Sequence, residues 1–257
     1  MTRIGHTVAY APRQIVVCGI AIHDETLDAA ISRLEKMLVS TNCNTLLFVN
    51  ANSVNLSFTD HALRHIFNDT TLVYCDGTGV RWAALARGRR FYSDFTATDF
   101  IPAFLERTLG RRCYLLGTTP ENIPKAASYF RKHFPAWSLV GYEHGYSHGR
   151  DLEIVESINA ARADVLLVGM GSPLQEEWIA RNKSALRCSL AIGVGGLFDY
   201  WAGRLRRAPL WMRRMGLEWS FILAQQHHKA ARYLVGNPYF IARAIYYLPV
   251  DLWTMGF

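Results

Sequence analysis

The sequence of 257 residues predicts an α/β protein, with a mostly parallel sheet flanked by helices. Three observations carry this expectation. Short apolar runs at 45–49, 72–75, 112–116, 165–168 and 188–192 read as buried strands. Helix-period stretches alternate with them, and that alternation implies right-handed crossovers between parallel strands. The turns that follow the strands are rich in glycine, as expected of a ligand crevice at the carboxyl ends of such a sheet. The expected architecture is Rossmann-like. It has a core over 1–219, in two closely packed halves of roughly 1–110 and 111–219, and a helical C-terminal appendage over 220–257.

Composition narrows the class. The chain is 50% hydrophobic and 19% charged, which suits a globular protein rather than a disordered one. A net charge of +7 favours an anionic partner: nucleic acid, anionic lipid or a nucleotide-sugar. Cys18, Cys43, Cys75, Cys113 and Cys188 form no Cys-x-x-Cys pair and read as reduced core thiols of a cytosolic protein. The start, Met-Thr-Arg-Ile-Gly-His, lacks the pattern of a secretory signal. No stretch offers the roughly 18 uncharged apolar residues that a bilayer-spanning helix needs.

Taken in order, 14–22 is β-like, and 26–38 is helical with Leu27, Ala30, Ile31, Leu34 and Leu38 on one face. The strand at 45–49 ends in Asn50-Ala51-Asn52, whose amides either hold a ligand or, through Asn52, cap the next helix. The strand at 72–75 ends in Asp76-Gly77-Thr78-Gly79. An aspartate at a strand's carboxyl edge suits general-base work, although a turn aspartate bonding its own backbone looks the same in sequence. Thr98 and Asp99 open a helix over 96–109. Strands at 112–116, 137–141 and 165–168 then lead into Gly117-Thr118-Thr119, the loop containing Tyr146, and Gly169-Met170-Gly171-Ser172-Pro173 before a helix carrying Gln175. His144 and His148 have the spacing of helical metal ligands but lie in a glycine-rich loop, which argues against a metal site.

The last core strand, 188–192, runs into Gly193-Val194-Gly195-Gly196, then Phe198 and Asp199. Arg204, Arg206, Arg207, Arg213 and Arg214 follow closely. A buried strand, a glycine turn, a carboxylate and an arginine cluster make a site for a phosphorylated ligand; the alternative is a glycine turn followed by a solvated basic helix. Gly169-x-Gly171 and Gly193-x-Gly195 both lack the third glycine of a dinucleotide fingerprint, and there is no Walker-type Gly-Lys-Ser/Thr. No Asp-x-Asp pair is present to hold a divalent ion on a nucleotide-sugar diphosphate. The tail interleaves Phe, Trp and Tyr with His227, His228, Lys229, Arg232 and Arg243. That texture suits a segment in a membrane interface, with a helical pair packed on the sheet or an oligomer contact as the alternative.

From about Gln14 to about Arg232 the chain resembles the WecG/TagA/CpsF family of glycosyltransferases. The blocks are Asn50-x-Asn52, Asp76-Gly-x-Gly79, Thr96-Ala-Thr-Asp99, Gly145-Tyr146, Gly169-x-Gly-x-Pro173-x-Gln175-Glu176, Gly193-Val-Gly-Gly-x-Phe-Asp199-x-x-Ala202-Gly203, Arg207-Ala-Pro209 and Gly216-Leu-Glu-Trp219. The resemblance implies transfer of a sugar (N-acetylmannosamine, its uronic acid or glucose) from a UDP-sugar to a polyprenyl-diphosphate-linked saccharide at the inner face of the plasma membrane, in bacterial surface polysaccharide synthesis. It implies an inverting reaction without a metal or other cofactor, with Asp76 as base and with Asn52 and Gln175 lining the pocket. Asn50, Gly77, Thr98, Asp99 and Tyr146 fall within the matching blocks as substrate-binding positions. Gly117, Gly169, Gly171, Gly195, Gly196 and Asp199 are expected by the nucleotide.

The chain also departs from the family pattern. Asn50 replaces the usual threonine and Ser53 the usual proline. Asp94 stands near the place of an expected arginine, and Ile222 replaces the appendage arginine after Glu-Trp. Arg204, Arg207, Arg213 and Arg214 are therefore expected to meet the leaving-group diphosphate. A non-catalytic nucleotide- or lipid-binding regulator on the same scaffold is the alternative. Nucleic-acid binding is disfavoured by the absence of a recognised motif, and homo-oligomerisation is open. Deletion after Ser220 is expected to leave a folded, more soluble core.

Overall fold

A computed structural model describes residues 13–146 and 149–254. The chain starts with an antiparallel hairpin, β1 (Arg13–Val17) and β2 (Ile20–Asp24), where a single β-like stretch was expected. Its two-residue turn is Cys18-Gly19, with φ of 54° and 75°. Two successive positive φ values give the turn geometry that matches strand twist, and a cysteine in the first position gives no sequence signal for it.

Next come α1 (Leu27–Met37), β3 (Asn44–Val49), α2 (Ala51–Thr59), α3 (His61–Asp69), β4 (Leu72–Cys75), α4 (Thr78–Leu85) and α5 (Ala97–Arg107). The second half runs β5 (Arg112–Gly117), α6 (Ile123–His133), β6 (Ser138–Glu143), α7 (Asp151–Ala160), β7 (Val165–Gly169), α8 (Leu174–Asn182) and β8 (Leu190–Gly193). Short helices α9 (Leu197–Trp201) and α10 (Leu210–Arg214) lead to the tail: α11 (Glu218–Gln225), a 3-10 turn (His227–Lys229), α12 (Ala230–Leu234), α13 (Gly236–Tyr246) and α14 (Leu248–Thr254).

Six strands form one parallel sheet in the order β4-β3-β8-β7-β5-β6. β8 inserts between β3 and β7, so the two halves of the core share a continuous sheet. Side chains alternate between its faces. Leu47, Val49 and Val73 enter one core, and Leu46, Phe48, Leu72 and Tyr74 the other. Both faces are covered, which is why the strands read as unbroken apolar runs. All six carboxyl ends open on one side, where Asn50, Asp76 and the glycine turns lie.

The tail folds back over that side. Phe240 and Ala244 of α13 are buried in the same core as Val54 of α2 and Val80 of α4. Asp251 of α14 is fully buried; its carboxylate accepts the N–H groups of Cys18 and Gly19 at 2.8 and 2.9 Å. It also pairs with the buried guanidinium of Arg87, which donates to the carbonyls of Ala83 and Ala244. Every arm of this buried pair has a partner, so removing one member would strand the other at a cost of about 3–5 kcal/mol. The deletion after Ser220, expected to leave a folded core, would remove Asp251 together with Phe240 and Ala244, and so takes away both the partners and the cover of Arg87.

Candidate active site

β3 and β4 deliver Asn50 and Asp76 to adjacent positions at the sheet's carboxyl edge, where the Asp76 N–H bonds the carbonyl of Val49 at 2.8 Å. Asn50, not Asn52, caps α2. Its Oδ1 accepts from the N–H groups of Asn52 and Ser53 at 3.0 and 3.1 Å, and from the Ser53 hydroxyl at 3.2 Å. With its oxygen so committed, the amide NH2 is the group left to serve the Asp76 carboxylate, to which Asn50 is hydrogen-bonded. Gly77, with φ of 92°, turns the chain sharply into α4, a conformation that a side chain would strain.

These residues floor a cavity of about 520 Å³. Its lining is divided. Asn50, Asn52, Asp76, Asp94, Asp99 and Arg213 form a polar end, while Trp82, Trp219, Ile222, Phe240, Ile241 and Ile245 form an apolar wall supplied by α4, α11 and α13. Half-buried Asp76 has its pKa raised to about 7, first by loss of water and then by the negative charges of Asp94 and Glu218. The hydrogen bond from Asn50 and the charge of Arg232 oppose the rise. A carboxylate tuned near neutrality inside a cleft can accept a proton from a bound hydroxyl.

The glycines of the turns that follow β5, β7 and β8 are of two kinds. A Cβ on Gly117 would fall 2.3 Å from the carbonyl oxygen of Gly169, and one on Gly169 would fall 2.6 Å from the Phe198 ring, so these two serve strand and helix packing. Gly171, Gly195 and Gly196 have open space beside them. Asp199 accepts from the Thr118 hydroxyl at 2.7 Å and pairs with Arg204 at 3.0 Å. Gln175 is buried and does not line the Asp76 cavity, contrary to the expectation for it. Its Oε1 accepts the Gly195 N–H at 2.8 Å, and its Nε2 donates to the buried Glu176 at 3.0 Å. The short Pro173-to-Gln175 spacing starts α8 under the β8 turn, which points this amide at the turn's backbone instead.

Three of the four arginines expected at the diphosphate, Arg204, Arg207 and Arg213, are paired with carboxylates, and Arg213 also lines the Asp76 cavity. Arg207 pairs with Asp99 and, at 2.7 Å, with Glu218, while Arg213 reaches Asp99 at 3.2 Å. This network ties α5 to α10 and α11, so Asp99 lines the cavity with its carboxylate already engaged. Arg214 is exposed and lines no part of the cavity. Thr98 turns its hydroxyl toward that of Thr96, 3.4 Å away, and Tyr146 is exposed, its N–H bonded to His144 Nδ1 at 3.2 Å.

Two cations of the tail, Arg232 and Lys229, lie on the site's side of the sheet. Arg232 lines the Asp76 cavity. Lys229 is half-buried, and burial followed by the charge of Arg232 lowers its pKa, while Asp199 opposes the fall. Tyr200 and Tyr233 share this region; burial, then the charge of Glu218, pushes the Tyr200 hydroxyl up to about 12. A cluster of basic residues about ten positions after Glu218-Trp219 was visible in the sequence, but not the return of the chain that brings it over the sheet.

Among the described residues no three His, Cys, Asp or Glu side chains group as metal ligands. His144 lies 3.3 Å from Glu143, and His148 is outside the described residues. No helix of the described residues is long and apolar enough to cross a membrane.

The chain is 26% identical over 212 residues to an N-acetylglucosaminyldiphosphoundecaprenol N-acetyl-beta-D-mannosaminyltransferase of Staphylococcus aureus (strain NCTC 8325 / PS 47), covering 81% of this chain and 83% of the relative. The protein of the same description from strain MRSA252 is 27% identical over 213 residues, with the same coverage. Residues 15–250 match the Glycosyl transferase WecG/TagA/CpsF family, a match that takes in the Asp76 cavity, the glycine turns and nearly all of the folded-back tail. The chain belongs to that family of glycosyltransferases.

Proposed function

We propose that this glycosyltransferase moves a sugar from a UDP-sugar to a saccharide linked through a diphosphate to a polyprenyl lipid, with inversion at the anomeric carbon. The observation that carries the reading is a near-neutral aspartate, Asp76, at the polar end of a cavity whose other wall is apolar. An amphiphilic acceptor has that same division. In this reading the acceptor hydroxyl gives its proton to Asp76 as its oxygen bonds to the anomeric carbon. The bond from that carbon to the β-phosphate oxygen breaks, and UDP departs with the electron pair.

Asn50 holds the Asp76 carboxylate, and Asn52 is available to a sugar hydroxyl. Arg232 and Lys229 meet the charge that develops on the departing diphosphate, the role first expected of Arg204, Arg207, Arg213 and Arg214. Gln175 acts at one remove by fixing the Gly195 turn beside the nucleotide. With protein cations available for the leaving group and no Asp-x-Asp pair in the sequence, the reaction is proposed to proceed without a divalent ion.

By analogy with the relatives' names, N-acetylmannosamine is the first donor sugar and N-acetylglucosaminyl-diphospho-undecaprenol the first acceptor to test. The test is a panel of UDP-sugars against that acceptor in detergent, with the product identified by mass. A disaccharide product supports the reading. Tight UDP binding with no product from any donor would favour the non-catalytic regulator.

A further inference from the structure

Helix α8 opens with two polar side chains turned into the core. Gln175 is 4% exposed, and Glu176 is fully buried. Only the first has a part in the transfer reading. A buried carboxyl is costly to keep, and an apolar side chain of similar size can fill such a space without loss of stability. Burial pushes the Glu176 carboxyl up, and the hydrogen bond from Gln175 opposes the rise. Its Oε1 accepts from Gln175 Nε2 at 3.0 Å. Its Oε2 is buried without a well-aligned hydrogen bond, the Ser172 hydroxyl being the polar group beside it. What Glu176 supplies is therefore one acceptor oxygen, at one place, facing one amide.

That amide has little room. A Cβ on Gly193 would fall 3.0 Å from Gln175 Nε2 and 2.9 Å from Leu47 Cδ2, so the amide passes the end of β8 where a side chain is absent. Its Oε1 then meets the Gly195 N–H at 2.8 Å. Gly195 has φ of 56° and open space beside it, so this bond is a tether on a turn that side-chain packing does not hold. The two ends of an amide are alike in size and opposite in chemistry. Half a turn about its last bond would set the NH2 against the Gly195 N–H and release the turn. Shape does not forbid that rotation. An acceptor at position 176 does, because it takes the NH2 end and so aims the oxygen at Gly195.

We propose that Glu176 is a positioning residue for the donor side of the site: its carboxyl oxygen fixes the orientation of the Gln175 amide and, through it, the Gly195 turn. The role needs an acceptor oxygen and not a charge. The proposal rests on the transfer reading for the nucleotide at that turn, but the hold on the turn is measurable without it.

Glu176→Met in the full chain removes the acceptor and keeps the volume. UDP binding, read by calorimetry, is expected to weaken about fivefold, the usual worth of one net hydrogen bond. Donor KM should rise alike, with kcat and acceptor KM unchanged, and exchange of the Gly195 amide hydrogen should quicken about fivefold. Glu176→Gln keeps an acceptor oxygen and is expected to match the wild type in each measure. Added to Gln175→Ala, Glu176→Met is expected to cost nothing further, because Glu176 acts only through Gln175. Should the Met variant melt early, Glu176→Asp, which draws the oxygen back by one methylene, is expected to show the same fivefold loss. Wild-type UDP affinity and Gly195 exchange in these variants overturn the proposal. So does a matching loss in Glu176→Gln, or a further loss in the Gln175→Ala background. A fall in kcat with UDP binding unchanged also overturns it and moves Glu176 into the chemistry. If the wild-type chain binds no UDP, the transfer reading fails, and Gly195 exchange alone decides the proposal.

Discussion

The two halves of the sheet's carboxyl edge are built on opposite plans. The one over β3 and β4 is roomy, half apolar and roofed by the tail, and its central carboxylate is pushed up toward neutrality. The one over β5, β7 and β8 is backbone-lined, drawn tight by Gly117 and Gly169, and its carboxylate Asp199 is tied to Thr118 and Arg204. In the transfer reading the first half serves the acceptor and the proton, and the second the nucleotide. On this division, damage to the first half should appear in turnover and damage to the second in donor affinity.

The strongest way to break the division is Asp76→Asn. Loss of a positioned base is expected to cost about 10²–10⁴-fold in kcat while UDP affinity, read by calorimetry, stays the same. Near-normal turnover would remove Asp76 from the chemistry. In the wild type, kcat/KM should rise with pH through about 7 as Asp76 ionises. The same raised pKa has a cost in stability. A carboxyl protonated more readily in the fold contributes stability below its unfolded pKa of about 4 and loses it as pH rises through the folded value. Asp76→Asn should therefore melt higher than the wild type at pH 8.

Arg232→Ala with Lys229→Ala comes next, at about 10²–10³-fold in kcat, the usual loss when charge stabilisation of a transition state is removed. The comparison sharpens if acceptor KM barely moves, and it fails if these residues affect only vesicle binding. Gln175→Ala should have a smaller effect. An orphaned Gly195 N–H costs about 1–3 kcal/mol, which is expected as about a tenfold rise in donor KM with acceptor KM unchanged. The smallest expected effect is that of chelation: EDTA should leave transfer unaltered, and activity lost to EDTA and restored by Mg²⁺ or Mn²⁺ would replace the protein cations with a metal.

How far these sites were legible in the sequence depends on the range of the forces that build them. The core strands at 45–49, 72–75, 112–116 and 165–168 were readable because a parallel sheet buried on both faces demands local apolar runs. The position of Asp76 followed from its place after such a run. Gln175 was misplaced because its partner, Gly195, lies on another strand's turn. Asn50 took the cap expected of Asn52, a difference of two residues that only the end of β3 decides. The place of Lys229 and Arg232 beside the site is not legible locally, because the fold-back of the tail depends on Asp251 meeting the backbone of Cys18 and Gly19 across 233 and 232 positions.

That last contact sets a schedule for synthesis. The first hairpin leaves the ribosome with its turn N–H groups lacking the carboxylate that will receive them, and Arg87 emerges without its counter-charge. At about 5–20 residues per second, the wait for residue 251 is on the order of 10–50 s. Through that interval the apolar wall of the Asp76 cavity lacks its α13 half, and Val80 lacks the cover that Phe240 and Ala244 give it. The cavity is thus completed only after residue 251 has emerged, long after the strands that carry Asn50 and Asp76.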